Sequence, residues 1–124
     1  MPVVLKIDSR RRVVYSSFYG RVTDKELLGH RSTIASDPGF KRDYNEIVDL
    51  TAVTDPAISD STLAALAGSE SLYDDSVAHI IVASAEFAVQ LADKFKTLAR
   101  GKRRNLFVVR TPAEAYKLLD VRAK

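Results

Sequence analysis

The chain reads as an α/β fold in the order ββαβαβαβα, a mostly parallel five-stranded sheet with an antiparallel first edge strand, packed by four helices. Three observations predict it. Short runs rich in β-branched and aromatic residues alternate with helical patterns. Residues that favour helix starts stand before the helical patterns. Only the first two strand runs are close enough for a hairpin, so the later strands need crossovers and run parallel.

Val3 to Asp8 is the first strand, and "DSRRR" is the turn after it. Val13 to Tyr19, "VVYSSFY", is the second, and Gly20 breaks its pattern. Thr23 and Glu26 form a capping box that opens a helix carrying Leu27, Leu28, Ile34 and Ala35. Asp37-Pro38-Gly39 ends that helix. Asn45 to Leu50 is the third strand, followed by a polar loop and a helix capped at Ser59 or Asp60. Val77 to Ala83, "VAHIIVA", is the fourth strand. Ser84 caps the next helix, whose apolar stripe is Phe87, Leu91, Phe95 and Leu98, and Gly101 suits its C-terminal end. Leu106 to Arg110 is the fifth strand. Thr111-Pro112-Ala113-Glu114 caps a last short helix.

At 124 residues the expectation is a single domain over 1–124, and 46% hydrophobic residues suffice for a core. The chain has no Cys. That excludes disulfides, thiol nucleophiles and Cys-ligated metal sites, and it favours a cytoplasmic location. No apolar run reaches membrane-spanning length, and "MPVVLKIDSRRR" has no signal-peptide layout. There is no GxSxG elbow, no Gly-rich phosphate loop and no HExxH. No catalytic residue, metal or cofactor is therefore assigned.

Ligands of parallel α/β sheets bind beyond the carboxyl ends of the strands. Asp49, Thr51, Thr54, Asp55, Ser59, Ser84 and Thr111 are the candidates there. Helix starts favour a small anion, although the same hydroxyls serve as caps worth about 1 kcal/mol each. Alternation along the strands gives two faces. Val14, Phe18, Val48, Leu50, Ile80, Val82, Leu106 and Val108 form an apolar face that meets the main helices. Tyr15, Ser17, Tyr19, Ile47, Asp49, His79, Ile81, Phe107 and Val109 form a mixed one. The mixed face has three readings: a helix covers it, it binds a partner or a second copy, or it lines a pocket. Its interaction candidates are Tyr15, Tyr19, His79 and Phe107. Asp49 and His79 could make an acid–base pair, but no nucleophile stands beside them. His30, among polar residues of the first helix, is expected in solvent.

Arg10–Arg12 and Arg100–Arg104 hold 7 of the 19 basic residues, which leaves the rest of the chain at −4. Parallel strands place these clusters and Lys41-Arg42 at one edge, opposite the acidic and hydroxyl-rich loops. No aromatic residues interleave with the Arg/Lys clusters and no recognition helix stands out, which disfavours nucleic acid.

In element order, and in "VVYSSFYGRVTDKELL", "NEIVDLTAVTD" and "NLFVVRTPAEAYKLL", the chain resembles the SpoIIAA-like group. That group includes STAS domains and anti-sigma-factor antagonists and lies close to Sec14-like lipid-binding folds. The match looks best to small stand-alone bacterial proteins. The antagonists carry a phosphorylated Ser in Asp-Ser-(Ser/Thr/Ala)-Gly after the third strand. Here that junction reads "DLTAVTDPAISDST", in which Asp49 is followed by no Ser and no Gly. The nearest hydroxyls for a phosphoacceptor are Ser59, Ser61 and Thr62. The resemblance implies a non-enzymatic regulatory module that binds another protein or itself as a homodimer. The alternative is a small-molecule or lipid binder that uses the carboxyl-end loops.

Overall fold

In the computed structural model, which describes residues 2–123, five strands and four helices follow the expected order. They are β1 (Val3–Asp8), β2 (Val13–Thr23), α1 (Asp24–Ser36), β3 (Asn45–Ala57), α2 (Asp60–Gly68), β4 (His79–Val82), α3 (Glu86–Leu98), β5 (Leu106–Val109) and α4 (Pro112–Arg122). The sheet order is β1-β2-β3-β4-β5. β1 runs antiparallel to β2, and β2 to β5 are parallel.

Two strands are longer than their sequence patterns. β2 continues through Gly20, which takes a left-handed φ of 65° at a bulge. β3 continues to Ala57 and pairs with that extension, Gly20 against Val53 and Val22 against Pro56. β4 stops pairing with β3 at Asp49, so the rest of β3 has only β2 as a partner. Pro56 is tolerated because its missing N–H falls at an edge. The expected polar loop after Leu50 is therefore mostly the outer half of a two-stranded ribbon.

The helix starts differ in detail. At α1, Thr23 donates its N–H to Glu26 Oε1 at 2.9 Å, as a capping box requires. Ser59 caps α2 by accepting from the Thr62 N–H, and Thr111 caps α4 by accepting from the Glu114 N–H. Ser84 is not a cap: α3 is capped by Ala85, without a side-chain bond.

The register also corrects the faces. His79 pairs with Glu46 and Ile81 with Val48, so both lie on the same side as Val14 and Phe18. Ile80 and Val82 instead sit beside Ile47 and Asp49. All four β4 residues are buried, so the run has no polar side to set its phase. On the side of Ile47 and Ile80, Ala115, Tyr116, Leu118 and Leu119 of α4 pack over the sheet. On the other side, three further clusters join the sheet to α1, α2 and α3. Among the described residues no helix is long and apolar enough to cross a membrane.

Candidate functional site

The carboxyl-end candidates do not converge. Asp49 is buried, and its carboxylate is committed to the fold. Its Oδ2 accepts from Tyr15 Oη at 2.5 Å, and its Oδ1 accepts from Thr51 N–H and Oγ1 at 2.9 and 2.7 Å. Thr54 and Asp55 lie exposed along the β2–β3 ribbon, where Asp55 pairs with Arg21 at 2.5 Å. Ser59 is tied to Asp24, with its N–H and its hydroxyl both 2.8 Å from that carboxylate. Ser61 shares a 3.2 Å contact with the Ser59 hydroxyl, and the Thr62 N–H is the one capped. Ser84 and Thr111 are exposed.

The mixed sheet face is partly covered. Tyr15 stacks on Tyr116 of α4 at 6.2 Å, and Arg122 lies over Phe107. Tyr19 is 44% exposed. Burial, then the hydrogen bond and charge of Asp49, hold the Tyr15 hydroxyl protonated far above its ordinary range. His79 is absent from this face, so an Asp49–His79 pair does not form.

Chemically distinctive residues gather on the other side of the sheet. There a cavity of about 180 Å³ lies between the sheet and helices α1 to α3. Phe18, Val48 and Ile81 line it from the sheet. Leu27 and Ile34 close it from α1, Leu63 and Leu66 from α2, and Leu91 and Phe95 from α3. The α3 stripe does not behave as a core stripe. Ala88, Ala92 and nearby Ala99 are buried, whereas Phe87 and Leu98 are each 40% exposed. Small residues bring α3 close to the sheet, and Phe87, Leu91 and Phe95 are left as cavity wall.

One end of this cavity is polar. Glu46 and His79 stand at the amino ends of β3 and β4, and Arg103 precedes β5, so parallel pairing brings them together. The His79 Nδ1–H donates to Glu46 Oε1 at 2.9 Å, with side chains 7% and 19% exposed. Tyr73 meets the His79 ring edge-on at 5.1 Å and is itself 5% exposed. Its hydroxyl is buried and has no hydrogen bond of normal geometry, although the Glu46 carboxylate lies close enough to act on it. Arg103 donates to the Ala67 carbonyl at 2.9 Å and packs over Phe95.

Charges at this end offset one another. Burial pushes the Glu46 carboxyl up, but the bond and charge of His79, with Tyr73 and Arg103, outweigh it and hold Glu46 below its ordinary value. Burial and then Glu46 raise the Tyr73 hydroxyl, so it stays protonated. Burial lowers Arg103, against the attraction of Glu46, without removing its charge.

His30 completes the polar lining and corrects the expectation of a solvated residue. It is 6% exposed, its Nε2 lies 2.6 Å from Ser16 Oγ, and Phe18 meets its ring edge-on. Burial lowers its pKa, opposed by the charge of Glu46. Alternation along β2 does carry one signal for this contact. Ser16 sits between Val14 and Phe18 on the helix-covered side, and a fully buried hydroxyl needs a partner.

The basic clusters do share the amino-end edge, but they are partly matched. Arg12 pairs with Asp43, and Arg42 with Asp74 at 3.3 Å. Arg11 lies 4.1 Å over the Tyr116 ring. Among the described residues no group of three His, Asp or Glu is placed to hold a metal ion. The chain matches no family model, and no curated protein is similar enough to it to count as a relative.

Proposed function

We propose that the protein is a binding module for a small, largely apolar molecule held between the sheet and α1 to α3. The observation that carries this reading is the cavity itself. Its volume of about 180 Å³ is close to the roughly 150 Å³ of an apolar cavity that accepts one benzene ring. Protein interiors are packed to crystal density, so a void of this size forfeits contacts that a ligand restores. The size fits one ring or a short chain. Resemblance to the SpoIIAA-like group, neighbour of Sec14-like lipid binders, supports a ligand in this fold. The site differs from the expected one, since it lies under the helices rather than in the carboxyl-end loops.

Titration of ¹⁵N-labelled protein with toluene tests the reading. Amide signals of Ile81, Ala88, Ala92 and Phe95 should shift together and saturate. No shift, or shifts confined to Asp49, Ser59 and Thr111, would overturn it.

A second reading, a regulatory module that self-associates, is favoured by Val4 of β1 and Tyr19 of β2, which are 59% and 44% exposed. Native mass spectrometry at micromolar concentration should then give a dimer that Tyr19→Glu converts to monomer. A monomer at all concentrations removes this reading.

A further inference from the structure

We propose that the cavity takes an uncharged hydroxyl compound, a phenol or an alcohol with an apolar part about the size of one ring, whose hydroxyl meets Tyr73 Oη and the Glu46 carboxylate. This rests on the cavity reading above and adds the head group.

The buried Tyr73 hydroxyl is the first support. A buried polar group without a partner is uncommon and costly, and this one belongs to a residue that lines the cavity. It lies beside the Glu46 carboxylate without a hydrogen bond of normal geometry to it. The second support is Glu46. One of its oxygens accepts from His79, and a carboxylate has further lone pairs to offer. Donor and acceptor side by side match a hydroxyl, which both gives and accepts a hydrogen bond.

The charge of Glu46 and those of Arg31 and Arg103 already stand against one another, so a charged head upsets the balance. A carboxylate would bring a second negative charge beside Glu46 in a poorly solvated site. An ammonium group would meet Arg31 and Arg103, which line the same cavity. Only a neutral head avoids both repulsions.

Four probes of one shape test this at pH 7: toluene, benzyl alcohol, benzoate and benzylamine. Affinity is read from the same amide signals. Benzyl alcohol should bind at least tenfold more tightly than benzoate and benzylamine. Tyr73→Phe keeps the ring and removes the hydroxyl. It should weaken benzyl alcohol about fivefold and leave toluene unchanged. A tighter benzoate or benzylamine overturns the assignment, and so does a Tyr73→Phe effect equal for toluene and benzyl alcohol. The wild-type series decides alone if the variant does not fold. If toluene itself does not bind, the cavity reading fails first, whereas bound toluene without a hydroxyl preference overturns only the head group.

Discussion

His79 and Glu46 are partners across adjacent parallel strands, and their side chains meet at 2.9 Å on the helix-covered side of the sheet. The pair places a carboxylate and an imidazole at the polar end of a largely apolar space. It also fixes the amino ends of β3 and β4, whose backbones are joined there by Glu46 N–H to Ala78 O at 2.9 Å.

Glu46→Ala should destabilise the fold by about 2–3 kcal/mol, because it strips a charged hydrogen-bond partner from buried His79 and a counter-charge from Arg103. Urea denaturation measures it. Glu46→Gln keeps an acceptor for His79 and should lose less. Equal losses for the two variants would mean that the stabilisation resides in the carboxylate charge and that a neutral acceptor at this place contributes nothing.

Tyr73→Phe should have the opposite sign. The hydroxyl it removes is buried without a normal hydrogen bond, so its loss should leave stability unchanged or raise it by about 1 kcal/mol in the ligand-free protein. A loss above about 1 kcal/mol would reveal a firm bond from this hydroxyl, most simply to Glu46.

Particular residues explain what the sequence made legible. Element order and parallel pairing followed from alternating patterns and short connections, and the Ser59 and Thr111 caps followed from local chemistry. The phase of β4 did not. His79–Val82 is buried on both sides, so period-two alternation has nothing to register, and counting along the strand puts His79 on the wrong face, with Asp49. The extension of β3 was hidden by Thr51, Asp55 and Pro56, residues typical of loops but acceptable in an edge ribbon. The cavity was least legible. Phe87, Leu91 and Phe95 have the spacing of a core stripe, and only the close approach of Ala88 and Ala92 turns them into a wall.

Gly20→Ala should cost about 1 kcal/mol. Nothing lies within 4 Å of a Cβ built at this position, so the cost comes from the left-handed φ of 65° and not from a clash. Gly20→Asn should lose less, since Asn tolerates that conformation. Thermal or urea unfolding distinguishes the two. Equal stability of Ala and Gly would show that the β2 bulge does not hold a left-handed residue.

Stability should be greatest between about pH 7 and 10 and should fall on both sides. His30 is lowered from 6.5, with Ser16, Phe18 and the charge of Glu46 around it. The unfolded chain then binds a proton near pH 6.5 while the folded chain does not, so the contribution of His30 is whole above 6.5 and is lost as the pH drops below it. Glu46 is lowered from 4.5, as are half-buried Asp24 and Glu26 from their ordinary values, so a second loss begins near pH 4.5. Tyr15 and Tyr73 are raised from 10.0, so the stability tied to their protonated forms is whole below pH 10 and is lost above it. Urea midpoints measured from pH 4 to 11 trace the curve. In His30→Gln the decline that begins near pH 6.5 should disappear and the one near 4.5 should remain. A wild-type curve flat down to pH 5 would place His30 in solvent and contradict its burial against Ser16.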